Sequence, residues 1–388
     1  MDLPDPTPPV VLTLNVGSSS LKGAIRDPDL RMHAEVAGLD GGAGHLTISG
    51  TGSFVEHAIV PNGWAGALPA VAEAAARHGL HPEVVIHRIV HSTALLVGPR
   101  RADDGLLERL RAEEHLDPLH LPRQLAAVAE ARALWPDALV LLCPDNLFHR
   151  DLPDEAAALP LPSEARASGL RRWGFHGLAV QSVVDRLPDL GSGVVVHLGS
   201  GCSVTAVADG ASQHTTMAVS PAGGIPSLTR SGDLDPEVVL RLVEASAGSV
   251  AAVRRLLNER SGIAGLSAGR TDVRTMLADG DAAADLALRV FVRQVAMAVA
   301  GAVTTLERWD TLVFSGGIGV HSAELRERVC ARLLVVRPDA QQRSGLPSER
   351  LTASGLRVCI VPVDEEAVLD RLARAVVRPP APIDSTAS

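Results

Sequence analysis

The sequence predicts an α/β protein of two domains. Short apolar runs alternate with Ala-rich or amphipathic segments through most of the 388 residues, as expected when strands are layered with helices. A unit made of an apolar run, a Gly/Ser turn and a second apolar run occurs twice, about 180 residues apart. The length suits two domains of roughly 100–200 residues each, and a hydrophobic content of 46% can fill a large core.

The elements follow in order. The apolar run 10–14 ends in Asn15-Val16-Gly17-Ser18-Ser19-Ser20, and a second run at 21–25 completes a hairpin. Residues 67–78 have helical spacing, 84–90 reads as a strand, 105–114 and 125–134 as helices, and 138–143 as a strand. A Pro-rich stretch, 151–162, separates the halves. The second hairpin joins 194–198 to 204–207 through Gly199-Ser200-Gly201-Cys202-Ser203. Two readings fit this repeat: two copies of one domain type, or two unrelated hairpins, since Gly and Ser favour turns everywhere. Asp235-Pro236 signals a helix start. A long apolar helix at 282–306 precedes a strand at 311–314 that runs into Ser315-Gly316-Gly317-Ile318-Gly319. A strand at 358–363 ends in Asp364-Glu365-Glu366, and a helix follows at 367–376. The polar tail RPPAPIDSTAS is expected to be disordered.

Composition removes several function classes. A formal net charge of -9 argues against nucleic-acid binding. No apolar run approaches the roughly 18 residues of a membrane span, and the acidic, Pro-rich start lacks the features of a signal peptide. Cys143, Cys202, Cys330 and Cys359 have no metal-ligand spacing and read as reduced thiols of a cytoplasmic protein. Lys and Arg total 36, yet Lys22 is the single lysine. A position that keeps Lys in so Arg-rich a chain points to a need for a compact ammonium.

Three Gly/Ser turns after strands, 17–20, 199–203 and 315–319, expose backbone N–H groups and hydroxyls that suit phosphate oxygens. None is a Walker A loop or a Rossmann fingerprint. Arg88 follows an apolar strand and Arg230 precedes a helix, positions from which an arginine can reach a site. Arg171 and Arg172 read equally as surface residues. Asp145 and Glu365 each follow a strand, where α/β proteins place their sites, and either suits Mg²⁺, which takes one or two carboxylates plus substrate phosphates. Asp272 is a candidate ligand or a simple helix cap. His176, between aromatic Phe175 and Gly177, is a structural histidine or a catalytic one.

The segments VLTLNVGSSSLKGAI, HRIVHS, DPLHLP, PDNLFH, RRWGFHG, VVHLGSGCSV, TRSGDLDP, TDVR, FSGGIG and VPVDEE occur in this order. Together they resemble the acetate kinases over nearly the whole chain, from residue 10 to about 374. The resemblance implies two ribonuclease-H-like domains of the acetate/sugar kinase–Hsp70–actin superfamily with an interdomain cleft. The N-terminal domain would span 1–150 plus 365–388. The C-terminal domain, for nucleotide binding and dimerisation, would span 151–364. It implies Mg²⁺-dependent, reversible transfer of the ATP γ-phosphoryl group to acetate, giving acetyl phosphate and ADP, by a homodimer.

By the same resemblance, Asn15 and Glu365 would hold Mg²⁺, with Lys22, Ser18 and Ser20 near the nucleotide phosphates. Arg88 and Arg230 would clamp the carboxylate and the phosphoryl group in flight, His176 would donate a hydrogen bond to that group, and Asp145 would be the catalytic carboxylate. His197, Leu198, Gly199, Ser200, Gly201, Asp272, Val273, Arg274, Gly317, Ile318, Gly319 and His321 would surround the nucleotide. Val90, Leu119, Phe175 and Pro221 would bound the acid's methyl group.

The chemistry agrees. A carboxylate nucleophile is already ionised and needs no general base. The transferring phosphoryl group needs its charge neutralised, whereas a sugar kinase needs an Asp to accept a hydroxyl proton. The chain departs from the family's pattern at Ser200, usually Asn, and at Val320 and His321, usually Glu and Asn. It departs also at Pro144 and Asn146 beside Asp145, at 221–224, and at Leu121 and Arg123. These changes bear mostly on the donor. The alternatives are a propionate or butyrate kinase, a donor other than ATP (another nucleotide or pyrophosphate), or an actin-like nucleotide-binding protein with weakened catalysis.

Overall fold

The computed structural model describes residues 8–17, 20–27, 29–51, 54–90, 95–333, 351–353 and 356–377. They form two units. One comprises the described residues up to Leu147 and from Asp364 onward, the other Phe148–Val363.

The first unit is built on an eight-stranded sheet. Its strands are β1 Val11–Val16, β2 Ser20–Asp27, β3 Asp29–Ala37, β4 Gly44–Gly50, β5 Val55–Val60, β6 Val84–Ile89, β7 Arg100–Arg101 and β8 Leu139–Pro144. They are ordered β5-β4-β3-β2-β1-β6-β8-β7. The expected first hairpin is present: β1 pairs antiparallel with β2, opposing Asn15 to Lys22. On its other side β1 runs parallel to β6, and β6 parallel to β8. Alternate residues share a face of a strand, so Leu12, Leu14 and Val16 enter one core, with Leu68, Val71 and Ala74 of the helix Trp64–Arg77 and Leu125 and Val128 of the helix Leu121–Leu134. The helix Glu365–Val377 packs against β1, β2 and β6. Strands β3, β4 and β5 stand where the sequence reading placed no element. Their outer positions carry Arg, His, Glu and Thr, and β4 begins and ends in glycine, so no continuous apolar run marks them.

The second unit carries β9 Gly193–Leu198, β10 Cys202–Ala208, β11 Ala211–Thr215, β12 Thr311–Ser315, β13 Leu351–Ala353 and β14 Leu356–Ile360, in the order β11-β10-β9-β12-β14-β13. The second hairpin, β9–β10, is antiparallel, and β9 runs parallel to β12, which runs parallel to β14. The order β11-β10-β9-β12-β14 repeats β3-β2-β1-β6-β8 strand for strand, which favours duplication over coincidence. The final strand stops at Ile360, short of the expected residue 363.

The helix Ala282–Val303 is, by length and composition, long and apolar enough to cross a membrane. Its stripe of Ala284, Leu288, Phe291, Val295, Val299 and Ala302 instead lies in the unit's core with Val194, Val196 and Val204. A second cluster joins Val180 and Val183 of the helix Gly177–Arg186 to Val195, Val207 and Val313. All four cysteines are buried, and among the described residues none forms a disulfide.

Candidate active site

In the first unit, candidate side chains gather at the C-terminal ends of three neighbouring parallel strands, where open α/β sheets bind ligands. Asn15 and Arg88 lie one residue before the ends of β1 and β6, and Asp145 follows β8. Glu365 opens the last helix. Arg88 Nε donates to Asp145 Oδ1 at 2.9 Å, and Arg88 Nη1 to Asn15 Oδ1 at 3.0 Å. Asn15 Nδ2 donates to Glu365 Oε2 at 3.1 Å, and Glu365 lies 4.0 Å from Arg88 Nε. Strand alternation sends the adjacent His87 the other way. It is buried with neither ring nitrogen bonded, and burial pushes its pKa down to about 3, so the ring is neutral.

This cluster is electrostatically taut. Burial pushes the Glu365 carboxyl up to about 7. Asp145 and Glu366 push in the same direction, while Arg88 and Lys22 pull against them. Burial works against the charge of Arg88, but Asp145 and Glu365 outweigh it and hold the guanidinium above its ordinary range. Asp145 is completely buried and its 2.9 Å bond to Arg88 makes it the arginine's orienting partner. Lys22 makes an ion pair with Glu35 at 3.2 Å across β2–β3. Ser20 begins β2, and its carbonyl accepts from the Gly17 N–H at 2.8 Å. Ser18 lies outside the described residues. Val90 is buried, and its N–H donates to Gln124 Oε1 at 3.1 Å; Gln124 Nε2 donates in turn to the Val16 carbonyl at 3.3 Å. Leu119 is half-buried.

The second unit holds the remaining candidates. The β9–β10 turn is closed by the Gly199 N–H donating to the Gly201 carbonyl at 3.0 Å. A Cβ at Gly201 would lie 2.9 Å from both Arg230 Nη1 and His176 Nε2, so glycine leaves room for two cationic or donor groups to converge over the turn. His176 has a left-handed backbone, φ 58° and ψ 26°, which costs a residue other than glycine roughly 1–2 kcal/mol. Its Nδ1 lies 3.1 Å from Ser203 Oγ, and its ring sits 4.7 Å from that of His197. His197 Nδ1 is 3.2 Å from Ser315 Oγ. Arg230 Nη1 donates to the Pro221 carbonyl at 3.3 Å, and two bonds between Gly224 and Asp233 clasp the loops that carry these residues. Phe175, Leu198 and Gly319 are buried.

Where the sequence reading placed a turn at 315–319, the chain forms a short helix, Gly316–His321, and a cavity of about 640 Å³ lies beside it. It is lined by Asp272, Val273, Arg274, Gly317, Ile318 and His321, six of the expected nucleotide residues, and by Leu277 and Ser322 among others. Asp272 also proves to be the helix cap, accepting from the N–H groups of Arg274 and Thr275. Arg172 is committed to backbone carbonyls of Ala156, Thr215 and Thr216. Among the described residues no group of three or more His, Cys, Asp or Glu is arranged to hold a metal by itself.

A family model described as the acetokinase family matches residues 10–371. The chain belongs to that family. It is 34% identical over 387 residues to the acetate kinase of Rhodopseudomonas palustris strain TIE-1, covering 93% of this chain and 97% of that one. It is 32% identical over 384 residues to the propionate kinase of Edwardsiella piscicida, covering 93% and 95%. The crystal structure of a propionate kinase from Francisella tularensis shares the fold, with a TM-score of 0.85 at 24% identity, covering 94% of this chain and 99% of that one. As an acetokinase-family enzyme the chain is a phosphotransferase.

The sequence reading of this acetokinase left out the supports: Gln124, His149, Ser203, Ser315 and Glu366. Ser203 was legible as the last residue of a Gly/Ser turn, and Glu366 as the neighbour of Glu365. Nothing local marks Gln124, a polar residue on a helix whose burial depends on the chain bringing Val16 and Val90 beside it.

Proposed function

We propose that the protein is an acetate kinase: with Mg²⁺ it moves the γ-phosphoryl group of ATP to acetate, reversibly, giving acetyl phosphate and ADP. The observation that supports this best is the state of Asp145. A kinase acting on an alcohol needs a carboxylate able to take the hydroxyl proton. Here the carboxylate at that position is buried and bonded to Arg88, so it orients an arginine. An already ionised acid needs no such base.

Arg88 takes the carboxylate end of the acid. Arg230 and His176 meet the developing charge on the phosphoryl oxygens, as fixed donors do most cheaply. Asn15 and Glu365 offer hard oxygens suited to Mg²⁺, and three acids, Asp145, Glu365 and Glu366, crowd Arg88 and Lys22, leaving surplus negative charge for a cation. When bound, Mg²⁺ would neutralise phosphate charge. The 640 Å³ cavity with apolar Val273, Leu277 and Ile318 has the size and lining for a nucleoside, favouring a nucleotide donor over pyrophosphate.

A homodimer is supported by the helix Pro236–Ala245, which buries no residue and leaves Val238 and Leu240 43% and 58% exposed. Such an apolar face suits a second copy. Trapping acyl phosphate with hydroxylamine tests the proposal, using acetate, propionate and butyrate with ATP, GTP and pyrophosphate. Acyl phosphate from acetate and ATP is the expected result. Its absence from every combination would refute the enzyme reading, and a preference for propionate would move the acid to that of the Edwardsiella relative.

A further inference from the structure

We infer that His149 is a positioning residue for the transferring step, holding the backbone of His176 so that its ring points at the Gly201 turn. This deepens the role proposed for His176 and rests on it. His149 is 1% exposed. Its Nε2 lies 3.1 Å from the Phe175 carbonyl and its Nδ1 2.8 Å from Ser212 Oγ. A carbonyl only accepts, so Nε2 carries a proton and donates it to the Phe175 carbonyl, while Nδ1 pairs with the serine hydroxyl.

The Phe175 carbonyl belongs to the peptide bond that joins Phe175 to His176. The next carbonyl, that of His176 itself, accepts from the Val180 N–H at 2.9 Å. The peptide groups on both sides of His176 are therefore tied down. A residue other than glycine keeps a left-handed backbone only where its surroundings over-determine it, and His149 supplies one of the two ties. The ring also packs close against the chain just before His176. Gly174 has φ 74°, and a Cβ there would lie 2.5 Å from the His149 ring. The glycine in Trp173-Gly174-Phe175-His176 is explained by that contact.

Ser212 completes the arrangement. It lies on β11, which pairs with β10, and β10 carries Ser203, the partner of His176 Nδ1. The same sheet edge thus holds the imidazole directly through Ser203 and its backbone indirectly through Ser212 and His149.

Misplacing a reacting group by about 1 Å costs on the order of 10²-fold in rate. His149→Leu should therefore lower kcat roughly 10- to 100-fold, with KM for ATP and acetate little changed. His149→Gln, whose amide offers one donor and one acceptor, should recover much of the loss. The deciding measurement repeats these variants in a His176→Ala background. If His149 works through His176, its loss costs nothing more there. Equal fold-losses in both backgrounds would show a merely structural residue and overturn the inference. Should His149→Leu fail to fold, Ser212→Ala carries the same test. It leaves the ring packed, frees Nδ1, and should give a smaller kcat loss that likewise vanishes without His176. Unchanged kcat in all His149 and Ser212 variants, with His176→Ala impaired, would overturn the inference alone. Unchanged kcat in His176→Ala would overturn the role of His176 as well.

Discussion

Replacing Glu365 by glutamine is expected to make the metal-free protein more stable while destroying its activity. The carboxyl is 17% exposed, so solvent screens little of its environment. Its pKa stands at about 7 against an ordinary 4.5. At 1.36 kcal/mol per pH unit, that difference is roughly 3 kcal/mol. The sign follows from where the proton goes. In the unfolded chain the group ionises near its ordinary value, whereas in the folded chain it holds its proton until about pH 7. Between those values the unfolded state binds fewer protons, so stability falls as pH rises, and the full penalty applies above pH 7. Glutamine cannot ionise and can still accept from Asn15. The variant should match wild type near pH 4.5 and exceed it by up to roughly 3 kcal/mol at pH 8. At about 2–4 °C per kcal/mol for a unit of this size, Tm should rise by roughly 6–12 °C. Thermal unfolding followed by circular dichroism at pH 5 and pH 8, without Mg²⁺, gives the comparison. An equal Tm difference at both pH values would refute the argument, because the gain would then owe nothing to ionisation. Adding Mg²⁺ should stabilise wild type and leave Glu365→Gln unmoved.

Arg230→Ala should lower kcat by roughly 10²–10³ with the fold intact, the scale for losing one transition-state donor, and Arg230→Lys should not restore it fully, because a point charge cannot reproduce a planar fork; steady-state kinetics with circular dichroism on each variant decides this. Val90→Ala should raise kcat/KM for propionate relative to acetate, since one methylene is worth about 1–3 kcal/mol in an apolar pocket; an unchanged ratio in parallel assays would remove Val90 from the acid pocket. Leu240→Glu should convert a dimer to monomers in light scattering, and a variant that stays dimeric would place the interface elsewhere.

Much of this was readable from the chain because the signals were local. Both hairpins announce themselves as apolar run, Gly/Ser turn, apolar run, but the repeat alone left duplication and coincidence open, and only the structure shows the shared strand order. Arg88, Asp145, Arg230 and Glu365 were found because strand ends and helix starts are visible in sequence. What could not be read depends on distant packing. Strands β3 to β5 expose one face, and their charged outer residues hide the alternation. The purpose of Asp145 was unreadable because no spacing rule shows that Arg88, 57 positions away, is its partner. Nothing local marks Gly174 as the residue that makes room for the His149 ring. The helix Ala282–Val303 was legible as apolar, but only its neighbours show which face is covered.

The bond between Asn15 and Glu365 spans 350 positions of chain, and it sets a timetable for biosynthesis. At about 5–20 residues per second, a ribosome needs roughly 20–70 s to travel from one partner to the other. Through that interval the growing polypeptide carries β1, β6 and β8 without the helix Glu365–Val377 that packs on β1, β2 and β6. The cluster of Asn15, Arg88 and Asp145 is then missing a carboxylate, and the apolar positions Val368, Leu369 and Ala373 that bury with that helix are not yet made. In the role proposed for Glu365, a nascent chain gains that ligand only when its final stretch is made. A chain cut before Glu365 lacks both the partner of Asn15 and the helix that covers β1, β2 and β6.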